Sequence, residues 1–168
     1  MDCLSVIKRR RSVREFIDKP IPQEVLEAIV DAGRFAPTAR NIQPWEFIVV
    51  TDKQSLKNLA EITDHGKFLA RAAACICVVS TDTKYYLEDC SAATQNILLA
   101  AVTFKVGSCW IAADKKPYCE KIKELLGIPP KYKVVSLIAL GYPLTKKVFY
   151  QMPKRPLEEV LHWQKFSR

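Results

Sequence analysis

Histidine is scarce in this sequence, with only His65 and His162 far apart, and the six cysteines at 3, 75, 77, 90, 109 and 119 form no CxxC pair. The spacings of a zinc centre are therefore missing. Long apolar runs are also missing: nothing approaches the roughly 20 residues needed to cross a bilayer. Lys8 to Arg11 interrupt the start after a few apolar residues, so no secretory leader is recognisable. No repeat, low-complexity segment or Ser/His/Asp constellation is visible. The chain reads as a reduced, cytoplasmic protein with no membrane partner. Acidic residues are few, 18 against 26 Lys and Arg, and the net charge of +8 favours anionic partners. Charge alone does not choose among a phosphorylated cofactor, a nucleic acid and an anionic surface.

What is present is a chain of 168 residues, 49% apolar, enough to bury a core without staples. One domain over residues 1–168 is expected. The stretch around which it is organised is Arg9-Arg10-Arg11-Ser12-Val13-Arg14-Glu15-Phe16. Apolar residues flank it on both sides, a poor place for a merely solvated charge run. If the backbone becomes extended near Ser12, alternate side chains share a face, and Arg10, Ser12 and Arg14 converge. Guanidinium groups and a hydroxyl at that spacing suit a phosphate.

In chain order, Asp2 caps a short helix to about Arg10, and Pro22 opens a second through about Phe35. A loop with prolines at both ends, 36–45, leads into a strand at Glu46–Val50. Asp52 caps a helix from Lys53 to about Thr63, and a loop at His65, Gly66 and Lys67 precedes a buried strand, Ala73 to Ser80. A long apolar helix from Leu87 to about Lys105 is expected to end at Gly107 and to lie between layers or against a second subunit. A helix from about Tyr118 to Leu126, a strand from Val134 to Leu140 and a short helix from Leu157 to His162 complete the order. The class is α/β or α+β with a small sheet.

Five pieces then stand in order: RRSVREF, APTARNIQPWEFIVV, GSCWIAA, GYP and KRPLEEVLHW. Together they resemble the nitroreductase family of flavin mononucleotide enzymes over nearly the whole chain. The resemblance implies an α+β fold, a three-layer sandwich with a small, mainly antiparallel sheet flanked by helices. It also implies an obligate homodimer with flavin sites at the interface. Arg10 and Ser12 match residues that face the flavin phosphate and ribityl chain, and Arg14 matches one at the pyrimidine end of the ring, where it tunes the flavin. Arg11 joins through its backbone. Pro37, Thr38, Ala39 and Asn41 match the loop lent by the second subunit. Trp110, Ile111, Ala112 and Ala113 match the stretch along the isoalloxazine near N5, although the family often has glycine where this chain has Ala112 and Ala113. Lys154 and Arg155 match a second phosphate clamp.

The implied activity is transfer of hydride from NADH or NADPH through FMN to a small-molecule acceptor, a nitroaromatic or quinone, with ping-pong kinetics and no metal. Reductive dehalogenation, flavin fragmentation or flavin storage on the same fold are the alternatives. Nucleic-acid binding through Arg9–Arg14 with Lys115, Lys116, Lys146 and Lys147 lacks any recognised reading motif, and no nucleic-acid partner is expected. His65, Lys67, Asp89 and Ala92 are further candidates for the substrate side. Cys109, beside the flavin stretch, reads as packing, as do Cys75, Cys77 and Trp45.

Overall fold

A computed structural model describes residues 2–145 and 153–167. The elements follow in the order α1 (Cys3–Arg9), α2 (Gln23–Arg34), β1 (Trp45–Val50), α3 (Lys53–Ile62), β2 (Ala74–Thr81), α4 (Tyr86–Thr103), β3 (Gly107–Ala112), α5 (Cys119–Leu126) and β4 (Tyr132–Gly141). Single 3-10 turns lie at Ala39–Asn41, Lys67–Arg71 and Leu157–Glu159. The four strands form one sheet in the order β1-β2-β4-β3, with every neighbouring pair antiparallel. This is an α+β fold.

The two central strands are apolar on both sides because both sides are covered. Cys75, Cys77, Leu137 and Ala139 meet Leu56 and Leu59 of α3 and Ile122 of α5. Ala74, Ile76, Ile138 and Leu140 meet Leu26 and Ile29 of α2 and Ala93, Ile97 and Ala101 of α4. Alternation along each strand thus feeds two separate cores. A buried hydroxyl pair is satisfied internally: Thr94 Oγ1 and Ser136 Oγ are 2.8 Å apart, and Thr94 also donates to Cys90 O.

Helix ends follow local chemistry. Asp2 accepts from Ser5 N at 3.1 Å and Asp52 accepts from Ser55 N at 2.7 Å, so both expected N-caps form. Gly127 ends α5 as expected. Gly107 does not end α4. The left-handed residue there is Lys105, at φ +59, with Val106 N donating to Ala101 O and Lys105 N to Val102 O. Gly107 instead opens β3, where a Cβ would lie 2.9 Å from the Val13 side chain. Close approach fixes that glycine, a requirement that spacing along a helix does not reveal. The tail shows only one 3-10 turn where a helix to His162 is expected. Leu157, Val160 and Leu161 are exposed, and so short a helix does not persist without a surface to pack on.

The basic segment after α1 becomes extended and closes the β3 end of the sheet. Val13 N donates to Ser108 O at 2.9 Å, Ile17 N to Tyr142 O at 2.9 Å, and Leu144 N to Glu15 O at 3.0 Å. Val13 and Phe16 are buried beneath it.

Two outcomes follow. A Cβ at Gly141 would stand 2.7 Å from the buried Phe16 ring, so Gly141→Ala is expected to destabilise the fold by about 1–3 kcal/mol in urea unfolding. The Ser55 amide holds the Asp52 carboxyl below 3.8, so its contribution is present above that value and lost as the folded-state group protonates. Asp52→Ala is expected to lower the melting temperature at pH 7, with a deficit that shrinks as pH falls below 3.8.

Candidate functional site

The site begins where β3 leaves the cover of the N-terminal segment. Ser12 bridges Ser108 in parallel, and Ser108 spends its carbonyl on Val13. In an antiparallel pair the groups facing away from the partner alternate along the strand, so Trp110 and Ala112 also turn their main-chain groups outward. Ala112 O confirms this direction by accepting from Tyr118 Oη at 2.7 Å rather than pairing with β4. Beyond Ser108 the β3 edge therefore presents N–H groups to an open cleft of ≈ 450 Å³. Its walls include Arg14, His65, Phe68, Trp110, Ile111 and Tyr118.

Of Arg10, Ser12 and Arg14, Arg14 lines the cleft, and Ser12 lies beside β3 through its bridge to Ser108, the residue before the Cys109 thiol. Burial pushes that thiol up, while Arg14, a hydrogen bond from Ser12 and the charge of Arg10 pull it down. Arg14 also lies 5.8 Å above the Phe68 ring centre. Arg11 turns elsewhere, donating to Lys8 O at 2.8 Å and Arg10 O at 2.6 Å at the end of α1. Ala113 is buried and its N–H donates to Val135 O at 3.2 Å, so in this stretch the outward donors are those of Trp110 and Ala112.

The remaining expected residues lie apart from this cleft. The segment with Pro37, Thr38, Ala39 and Asn41 is a tight loop in which Arg40, Asn41 and Gln43 all have φ between +52 and +57. Three non-glycine residues in that region require external support. Gln43 N donates to Thr38 Oγ1 at 3.2 Å, and Ala39 N donates at 3.3 Å to the carboxylate of Asp89, a buried residue of α4. Asp89 thus holds the loop. Lys154 and Arg155 are exposed in the tail, where Arg155 pairs with Glu159. Lys146 and Lys147 lie outside the described residues.

His65 lines the cleft, whereas Lys67 donates to Glu61 O at 3.0 Å and does not. Ala92 packs against the α4 core. Phe68 and Tyr118 were not singled out by sequence reasoning, and Lys116 was named only among the basic residues of a nucleic-acid surface; Phe68 and Tyr118 enter through the 3-10 turn and the α5 entry, and no spacing signal marks either. Trp45, Cys75 and Cys77 are buried in the cores, and burial raises Cys75 to about 12. Among the described residues no group of three or more His, Cys, Asp or Glu converges.

Comparison with known proteins gives this arrangement a context. The family model described as nitroreductase family matches residues 7–74 and 63–142. A candidate NADH dehydrogenase/NAD(P)H nitroreductase of Archaeoglobus fulgidus is 40% identical over 98% of this chain and 99% of its own length. An FMN-dependent nitroreductase of Clostridium difficile superposes with a TM-score of 0.90 at 32% identity, covering 97% of this chain and 99% of that one. A candidate nitroreductase of Desulfovibrio desulfuricans, solved in complex with FMN, superposes at 0.83 and 28% identity over 99% of both chains. On that match and that coverage, the chain belongs to the nitroreductase family.

Proposed function

We propose that this chain is an FMN-dependent oxidoreductase that passes hydride from NADH or NADPH to an electrophilic small-molecule acceptor, a nitroaromatic or quinone, by a ping-pong mechanism. The observation that carries it is the cleft in which Arg14 meets the outward main-chain edge of β3, with Ser12 bridged to Ser108 beside it. Relatives described as FMN-dependent and solved with FMN support the cofactor. The residues present fit it: a cationic and hydroxyl-bearing end suits the phosphate, and Phe68, Trp110 and Ile111 suit a planar ring.

When bound, FMN supplies the hydride acceptance and return that side chains lack. Arg10 and Ser12 hold the phosphate through charge-assisted hydrogen bonds. Arg14 places a fixed cation near the ring, where it offsets negative charge as that charge develops. The N–H groups of Trp110 and Ala112 orient the ring edge, and the Tyr118 hydroxyl holds the Ala112 peptide in place. β2 and α4 are joined by a short turn at 82–85 rather than a long insertion, and donor and acceptor would take turns in the open cleft.

The catalytic unit is a homodimer in this reading. Leu4, Ile7 and Trp110 are exposed on the body, and Leu157, Val160, Trp163 and Phe166 are exposed along the tail, an apolar surface that a second copy would cover. Pro37, Thr38, Ala39 and Asn41 of one protomer, with Lys154 and Arg155, then complete the cleft of the other.

Purified protein titrated with FMN is expected to turn yellow with one flavin per protomer. Arg14→Ala should lose flavin affinity or slow flavin reduction by about tenfold or more while its thermal midpoint holds. Equal flavin content and an equal rate would count against the role given to Arg14. In steady state, double-reciprocal plots at several acceptor concentrations should run parallel, and a common intersection would exclude alternate occupancy. Sedimentation should show flavin travelling with a species of twice the chain mass, and flavin on a monomer would remove the shared site.

A further inference from the structure

Past the cleft that contains Arg14, the chain turns at 113–118 into a second hollow of ≈ 410 Å³. Lys116 borders both spaces, so they adjoin. The charges around the hollow are Lys115, Lys116, Lys123 and Lys133 against Asp114 and Glu120. Two of the four cations are engaged: Lys133 pairs with Asp82 at 2.7 Å and its ammonium lies 4.1 Å over the Tyr86 ring, while Lys123 pairs with Glu120 at 2.9 Å. Asp114 is engaged as well, accepting from Tyr86 Oη at 2.9 Å, which leaves Lys115 at a loose 3.9 Å from its other oxygen. Among the described residues Lys116 has no ion-pair partner. The hollow thus holds two ammonium groups with no close carboxylate, and one of them, Lys116, also lines the cleft.

The backbone there points the same way. Lys115 has φ +58, a region that glycine or asparagine occupies at lower cost. The turn is held by Lys116 N donating to Ala113 O at 3.0 Å and Cys119 N donating to Lys116 O at 3.1 Å. A strained turn that keeps two consecutive lysines beside a ring-sized cleft is a functional feature rather than a solvated run. A flavin accounts for the first space and leaves the second unexplained. A nicotinamide donor with its reactive ring in the cleft must carry its diphosphate, with two negative charges, outside it.

Resting on the function proposed above, we infer that Lys115 and Lys116 form the subsite for the diphosphate of the nicotinamide dinucleotide donor. Binding is electrostatic and weakens with salt. It discriminates donors with a diphosphate from those without one, and it leaves the acceptor half of the reaction untouched.

The test uses ADP-ribose, which has the diphosphate and lacks the nicotinamide, measured by calorimetry on the protein with and without FMN. The K115A/K116A double variant is expected to weaken ADP-ribose binding about tenfold or more, whereas Lys121→Ala, exposed on α5 outside the hollow, leaves it unchanged. In turnover the double variant should raise KM for NADH or NADPH and leave KM for 1-benzyl-1,4-dihydronicotinamide, which has no phosphate, as it was. Equal ADP-ribose affinity in wild type and the double variant would overturn the subsite, as would an equal loss in Lys121→Ala. A protein that takes up no FMN but loses ADP-ribose affinity in the double variant would overturn the flavin function and keep the subsite.

Discussion

Three main-chain hydrogen bonds fasten the segment after α1 to the end of the sheet: Val13 to Ser108, Ile17 to Tyr142 and Leu144 to Glu15. Everything at the site depends on that closure. It buries Val13 and Phe16, which requires residues without side chains at 107 and 141, and it forces the intervening polar residues to the other side. Because the fastening stops at Ser108, the last part of β3 is left uncovered beside the cations it has just positioned. A longer overlap would have paired the edge and closed the cleft; a shorter one would have released Arg10 and Arg14 to solvent.

The same closure explains how charge is concentrated without a buried ion pair. Arg14 keeps its charge at the rim of a half-open space, where water still reaches it. Arg14 lies over the Phe68 ring, and the charges of Arg14 and Arg10 oppose the upward push of burial on the Cys109 thiol. That arrangement costs little as it stands and is complementary to a bound anion. Asp89 performs the opposite task, placing a buried carboxylate beneath the Ala39 amide so that a loop of three left-handed residues holds its shape.

Much of this was legible in the residues. Arg14, marked by the sequence as a flavin-side residue, lines the cleft, and the two aspartate caps and the continuous apolar strands appeared where composition put them. Contacts between segments distant in the chain were not legible. Gly107 resembles a helix stop in sequence, yet Val13, 94 positions earlier by subtraction, is what demands it. Phe68, Lys116 and Tyr118 reach the cleft only because the fold brings two separate segments together, the 3-10 turn at 67–71 and the turn at 113–118. The expected site falls into separate groups in this chain, with the loop at 37–41 held on Asp89 and Arg155 paired with Glu159 in the tail.

The β3 edge meets whatever occupies the cleft through peptide groups, and peptide groups are common to nearly every amino acid. Exchanges at 110 and 112 can therefore alter the shape and hue of the pocket while the donor row persists, and proline alone among the coded residues withdraws an N–H. Such a wall separates retention of the occupant from choice of reaction partner, so descendants of this chain are free to drift in the second without surrendering the first.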